Sequence, residues 1–315
     1  MESVTLFAGT ANEPLAAAVA RELGVPLAGR TVQRFPDGEI AVRLEQSVRG
    51  REVFILQPTS PAVSDHLVEL LVFADACRRA SAARITAIVP YLGYARADRR
   101  QGRRAPVTAS LVAMLMETAG VTHVVTLDLH SPQLEGFFRI PIDNLTAVPV
   151  LCAALRPRVA EDAVVVSPDL GATRLAAEYG QRLGLPAAVC HKQRTSGTAV
   201  RVARVVGDVR DRPCVIVDDM ITTGGTIAEA MAALTAAGAR PEFTVAATHA
   251  VLVEGARERL AAAGVRELFA TDTVAQPAGG DPAMHVVSVA PSIADVIRRL
   301  VADESLHALP SLAYA

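Results

Sequence analysis

The sequence predicts an α/β protein of two domains, each a mainly parallel sheet flanked by helices. Three observations predict this. Short, almost wholly apolar β-branched runs alternate with longer helical patterns along the whole chain, the alternation that parallel strands joined by right-handed crossovers require. The runs lack the polar alternation of a half-exposed strand, as strands covered on both faces do. Finally, the 315 residues are 51% hydrophobic but only 4% aromatic, with no Trp. A core of Ala, Val, Leu and Ile on this scale suits two sheets of about 150 residues each better than one very wide sheet.

In order, "VTLFAG" reads as a strand before a helix at "EPLAAAVAREL". "EVFILQP" then precedes "VSDHLVELLVFADACRRA", where apolar residues at 67, 68, 70, 71, 74 and 77 follow a helical period. "ITAIVP" and "THVVTLD" flank the helix "TASLVAMLMETAG". The second half repeats the plan with "AVVVSPD", a helix, "AAVC", "CVIVDD", a helix, "FTVAATHA", a helix, "ELFATD" and a last helix near "SIADVIRRLVA". A Pro-containing segment at residues 143–151 opens a new helix. It sets the expected boundary, with an N-terminal domain of residues 1–147 and a C-terminal domain of residues 148–315.

A net charge of −2 argues against a nucleic-acid or membrane-surface partner. Cys77, Cys152, Cys190 and Cys214 are far apart and form no CxxC pair, so reduced core thiols are expected. "MESVTLFAGT" has no basic region followed by a long apolar run, and a cytoplasmic location is expected.

The strongest local signal is "VIVDDMITTGGTI", residues 215–227. An apolar strand delivers Asp218 and Asp219 to its carboxyl end, where ligands of open α/β sheets bind. A loop of Thr222, Thr223, Gly224, Gly225 and Thr226 then leads into a helix. Its glycines let main-chain N–H groups turn toward an anion, its hydroxyls add donors, and the helix N-terminus adds favourable potential. A Gly-containing βα turn with a helix cap would explain the glycines alone. Two acids beside an anion loop make sense if the ligand carries hydroxyls next to its phosphate, as a pentose phosphate does. Neither a P-loop nor a dinucleotide fingerprint is present.

This stretch resembles the phosphoribosyl diphosphate (PRPP) binding motif of the type I phosphoribosyltransferase fold. "RFPDGEI" (34–40), "PYLGYARADRR" (90–100), "LDLHSPQLEGFF" (127–138), "IPIDNL" (140–145) and "VSPDLGATR" (166–174) narrow the resemblance. Together, from residue 3 to about 300, they are similar to the ribose-phosphate pyrophosphokinase (PRPP synthase) family. The resemblance implies two phosphoribosyltransferase-like domains. It also implies transfer of the β,γ-diphosphoryl group of ATP to the C1 hydroxyl of ribose 5-phosphate, giving PRPP and AMP for nucleotide, His and Trp biosynthesis.

The resemblance also implies roles for particular residues. His130 and Asp169, which by themselves read as a loop histidine and a helix N-cap, become Mg²⁺ ligands. Mg²⁺ takes few protein ligands and keeps water and substrate oxygens elsewhere. Phe35, Asp37, Gly38 and Glu39, otherwise an ordinary hairpin turn, become part of the adenine pocket, with Phe35 stacking and the two acids accepting from the exocyclic amine. In the family this loop reaches a neighbouring subunit's site, so a homo-oligomer (a hexamer or smaller) with subunit-shared active sites is expected. The arginine-rich run at 96–104 could be a solvated face, but it follows an apolar strand, and the resemblance gives Arg96 an ATP contact. Asp218, Asp219 and residues 222–226 would hold ribose 5-phosphate.

Lys192 is the one lysine of the chain, against thirty arginines. In "HKQRTSG", expected to begin where the strand "AAVC" ends, Lys192 and Arg194 match the basic positions of the family's flexible catalytic loop, Arg194 also facing ribose 5-phosphate. An ammonium is a compact charge on a flexible stem, whereas guanidinium is a planar fork. Drift toward Arg that spared one lysine by accident is the competing explanation.

The sequence departs from the family in several places. Ala97 stands where Gln is usual, Thr222 where Asp often stands, one glycine follows Asp169-Leu170, and residues 303–315 match only loosely. Ser47, Arg49, Asp143 and Asn144 are compatible with the family's phosphate/ADP regulatory site, yet weak ADP inhibition and no phosphate requirement are expected. A PRPP-consuming phosphoribosyltransferase and a non-catalytic regulatory relative are the alternatives. The first is opposed by the ATP-type motifs, the second by the presence of Lys192, Arg194, His130 and Asp169.

Overall fold

The computed structural model describes residues 4–196, 199–276, 282–307 and 309, except for the side chains of residues 192–203. The chain forms two compact units, Met1–Thr146 with Thr273–Ala275 and Ser288–Ala315, and Ala147–Asp272 with Gln276–Val287.

The first unit contains β1 (Val4–Ala8), α1 (Glu13–Leu23), β2 (Arg30–Arg34), β3 (Ile40–Leu44), β4 (Glu52–Leu56), α2 (Val63–Arg79), β5 (Arg84–Val89), α3 (Thr108–Ala119), β6 (His123–Leu127) and β7 (Ile142–Leu145). Its main sheet has the order β1-β4-β5-β6-β7 with every pairing parallel. The strand interiors Phe54, Ile55, Ala87, Ile88, Val124 and Val125 are fully buried, which explains their unbroken apolar runs. Asn12 starts α1 by accepting the N–H of Leu15, and Gly24, at φ 69°, ends it. The antiparallel hairpin β2–β3 forms its own two-stranded sheet and packs on α2.

The second unit contains α4 (Val148–Leu155), β8 (Val164–Ser167), α5 (Thr173–Leu183), β9 (Ala187–Ser196), β10 (Ala199–Val206), β11 (Cys214–Ile221), α6 (Gly225–Ala236), β12 (Phe243–Ala250), α7 (Ala256–Ala263), β13 (Val265–Thr271) and β14 (Ala283–Val287). Its sheet has the order β10-β9-β8-β11-β12-β13-β14, parallel except for the β9–β10 pair. One core cluster joins Val166, Ile216 and Val245 of the strands to Ile227, Met231 and Leu234 of α6 and Leu260 of α7.

Three features differ from the sequence expectation. The strand containing "AAVC" does not end at Cys190 but runs on to Ser196, because β10 folds back along it. Strands β7 and β14 are additional; each is short and lies at a sheet edge, where the apolar signal is weakest. The last helix, α8 (Ala290–Val301), falls within the expected residues 148–315 but packs on α1 in the first unit. Its buried face of Ala290, Ile293, Ala294, Val296 and Ile297 is amphipathic, like the Leu15, Ala16, Val19, Ala20 and Leu23 face of α1. Periodicity shows that such a helix must be covered, not by which sheet or helix.

All four cysteines are buried and none is in a disulfide. Burial pushes the thiols of Cys77, Cys152 and Cys214 up to about 12, so they remain protonated and inert near neutrality. Among the described residues no helix is long and apolar enough to cross a membrane.

Candidate active site

In the second unit, β11 carries the half-buried Asp218 and Asp219 in its carboxyl-terminal half and continues to the buried Ile221, still paired with β12. The neighbouring β8 stops at Ser167, and Asp169 follows in a turn in which its Oδ1 accepts the N–H of Gly171 at 2.9 Å. The main-chain N–H of Asp219 donates to Oδ1 of Asp218 at 3.0 Å. Asp218 keeps some solvent contact, yet burial, then the charge of Asp219, and also that of Asp169, push its carboxyl well above the usual carboxylate range. The charges of Asp219 and Asp169 thus act on Asp218, although among the described residues no three His, Cys, Asp or Glu side chains are arranged to hold a metal ion by themselves.

The loop 222–226 follows directly. Gly224 adopts φ 74°, and a Cβ there would lie 3.1 Å from Leu260 and 3.3 Å from the carbonyl oxygen of Ala256. Gly225 opens α6, and a Cβ there would meet only Thr223 Oγ1, at 3.6 Å. Gly224 is thus demanded by backbone and packing, whereas Gly225 leaves the space above the helix N-terminus clear. That space, with N–H groups and the dipole directed at it, suits an anion.

In the first unit, the turn between β2 and β3 exposes Phe35, Asp37, Gly38 and Glu39. It closes through the N–H of Phe35 to the carbonyl of Glu39 (2.8 Å), the N–H of Gly38 to that of Phe35 (2.9 Å), and the N–H of Glu39 to Asp37 Oδ1 (3.1 Å). An ion pair at 2.9 Å from Arg34 to Asp65 of α2 steadies its base. Phe35 is 39% exposed, an unusual placement for an aromatic ring and one that leaves it available for stacking.

Arg96 is exposed in the turn after β5, and His130 is exposed after β6. Two residues join these segments: Asp98, which the sequence reading missed, and Asn144, which it had placed only with the regulatory site. Asp98 accepts hydrogen bonds from Ser131 Oγ and Gln133 Nε2, both at 2.8 Å, which ties the arginine segment to the His130 loop. Asn144 of β7 accepts the N–H of Leu129 through Oδ1 at 3.2 Å and so holds that loop from the other side. Asp98 had a signal: it is the one acid within "YARADRRQGRR". Of the residues compatible with a regulatory site, Arg49 donates to Ser81 Oγ at 3.2 Å, and Asp143 bonds His123 Nε2 at 2.6 Å.

The backbone of Lys192 lies in β9 opposite Val202, and that of Arg194 opposite Val200; both side chains lie outside the described residues.

Comparison with known proteins matches this geometry to a family. The N-terminal domain of ribose phosphate pyrophosphokinase matches residues 4–120, and the phosphoribosyl transferase domain matches residues 155–278. A ribose-phosphate pyrophosphokinase from Ralstonia nicotianae is 42% identical over 313 residues, covering 98% of each chain. The chain belongs to the ribose-phosphate pyrophosphokinase family. The Campylobacter jejuni member is 43% identical over 98% of this chain and 99% of its own. A crystal structure of phosphoribosylpyrophosphate synthetase from Mycobacterium smegmatis, 42% identical, superposes with a TM-score of 0.89 over 96% of this chain and 99% of that one. The two phosphoribosyltransferase-like domains are therefore established, and the chain is a ribose-phosphate pyrophosphokinase-family enzyme.

Proposed function

We propose that this enzyme converts ATP and ribose 5-phosphate to AMP and PRPP with the following division of labour. In the second unit, the loop 222–226 takes the 5-phosphate, and Asp218 and Asp219 accept from the ring hydroxyls. In the first unit, Phe35 stacks on adenine, Asp37 and Glu39 accept from its exocyclic amine with Gly38 shaping the turn, and Arg96 contacts the nucleotide. The anomeric oxygen forms a bond to the β-phosphorus as the bond from that phosphorus to the α,β-bridging oxygen breaks. The diphosphoryl group moves as a unit, AMP leaves, and the hydroxyl proton passes to solvent. Such transfers depend on positioning and on neutralising developing charge. Lys192 and Arg194 supply mobile cations for that purpose, Arg194 also meeting the sugar phosphate.

The cofactor in this reading is Mg²⁺. His130 and Asp169 are its protein ligands in this reading, and the charges of Asp219 and Asp169 on Asp218 favour a cation near them. When bound, Mg²⁺ neutralises phosphate charge. The protein works as a homo-oligomer, a hexamer or smaller, whose hairpin turn at 35–39 completes a neighbour's site.

The observation that carries this reading is the pairing, at the end of β11, of crowded carboxylates with a left-handed Gly224 and an open helix start. The test is to supply purified protein with Mg²⁺, ATP and ribose 5-phosphate and follow the products. AMP and PRPP should appear in equal amounts. Formation of ADP, or release of pyrophosphate from added PRPP and a base, would overturn it. Subunit sharing is tested by mixing inactive Asp37→Ala/Glu39→Ala protein with inactive Lys192→Ala protein and reassembling. Shared sites recover part of the activity; sites built within one chain recover none.

A further inference from the structure

We infer that Arg259 is a positioning residue for the sugar-phosphate loop, acting through the loop's backbone rather than on the substrate. The inference rests on the assignment of residues 222–226 to the 5-phosphate.

Three consecutive loop carbonyls are held by one short segment. The N–H of Leu252 donates to the carbonyl of Ile221 at 3.0 Å, and the N–H of Val253 donates to that of Thr222 at 3.0 Å. Arg259, one turn into α7, donates from Nη1 to the carbonyl of Thr223. In a trans peptide the C=O and the following N–H point to opposite sides of the chain, and none of these peptides is cis. Fixing the carbonyls of 221, 222 and 223 on the α7 side therefore turns the N–H groups of Thr222, Thr223 and Gly224 to the other side.

The first two holds are main-chain bonds that any sequence could make. The third is not. The peptide between Thr223 and Gly224 sits where the chain turns into the left-handed conformation of Gly224, beyond the reach of strand pairing. Among the described residues, the long side chain of Arg259 reaches this carbonyl from α7. The next α7 residue, the fully buried Leu260, packs under Gly224. Arg259 and Leu260 thus clamp this peptide, one by hydrogen bond and one by contact. A charged donor on the carbonyl also polarises the peptide and strengthens the opposite N–H as a donor.

Arg259 is exposed and carries none of the core, which separates positioning from stability. Arg259→Gln should raise the KM for ribose 5-phosphate roughly ten-fold, the scale of one charged hydrogen bond. The KM for ATP should stay within about twofold, and the melting midpoint without sugar within about 2 °C. The upward shift of that midpoint on adding ribose 5-phosphate should shrink. Arg259→Lys, which keeps one charged donor, should recover part of the loss. Thr226→Val reports on the loop assignment itself. If Thr226→Val raises the KM for ribose 5-phosphate and Arg259→Gln does not, the positioning role is wrong and the loop assignment stands. If neither variant changes it, both fall. A lower sugar-free melting midpoint with kcat and both KM values impaired together would mark Arg259 as merely structural and overturn the inference.

Discussion

Asp98 and Ser131 are joined by a hydrogen bond of 2.8 Å across 33 residues of chain, and that bond fastens the arginine segment to the loop of His130. Without it, the segment carrying the exposed Arg96, Arg99 and Arg100 would lose this tie to the His130 loop. Asp98→Ala should therefore raise the KM for ATP, by roughly three- to tenfold for the loss of hydrogen bonds to a charged acceptor, and leave that for ribose 5-phosphate nearly unchanged. Asp98→Asn, which keeps an acceptor, should fall between. Steady-state kinetics with each substrate varied would check this, and equal loss for both substrates would count against a local tether.

The two glycines of the proposed phosphate loop should behave differently. Gly224→Ala places a Cβ at φ 74° against Leu260 and should cost about 1–2 kcal/mol of stability. Gly225→Ala meets only ordinary contact at a helical position and should leave the melting midpoint unchanged or higher. Any loss in Gly225→Ala should appear as a raised KM for ribose 5-phosphate. Calorimetry on both variants, with and without sugar phosphate, separates the effects. Equal destabilisation would mean that the loop's backbone is not set as described.

How much of this was legible in the sequence depends on distance along the chain. The strand-to-helix turn after β11 was legible because strand, acids, threonines and glycines fall within the thirteen residues 215–227. The hairpin turn at 35–39 was legible for the same reason. The link from Asp98 to Ser131 joins two loops that only the parallel pairing of β5 with β6 makes neighbours, so no local pattern signals the pair. The continuation of β9 past Cys190 depends on its partner β10; a segment as polar as "HKQRTS" becomes strand only because another strand pairs with it. The difference between Gly224 and Gly225 is one of φ and neighbouring atoms, and two adjacent letters cannot show it.

Asp218 gives a prediction with a pH sign. Its folded carboxyl is raised by burial and by Asp219 and Asp169, so its ionised form is disfavoured in the native state. Its stabilising contribution is full below the unfolded value of about 3.9. It is lost as pH rises through the raised folded value, and remains lost above it. Asp218→Asn removes the charge at similar shape. In the presence of chelator, the variant's melting midpoint should exceed that of wild type increasingly as pH rises from about 4 through the raised folded value, while affinity for ribose 5-phosphate falls. A site can cost stability to serve function in this way. A constant offset between the two proteins across that range would refute the electrostatic account.

The last prediction concerns Lys192, whose backbone lies in β9 opposite Val202. Lys192→Arg keeps the charge and makes the chain free of lysine. If drift toward arginine merely spared this position, the variant should be nearly normal. If an ammonium must reach the β-phosphate and bridging oxygens as charge develops on them, the planar fork of arginine fits badly among those oxygens. Loss of one preorganised contact of this kind typically costs ~10²–10³ in rate. Because that contact is made chiefly in the transition state, the loss should fall on kcat, with both KM values little changed. The melting midpoint should match wild type, which separates the effect from misfolding. A Lys192→Arg enzyme within about threefold of wild-type kcat, far inside the loss expected for such a contact, would show that charge alone suffices at this position.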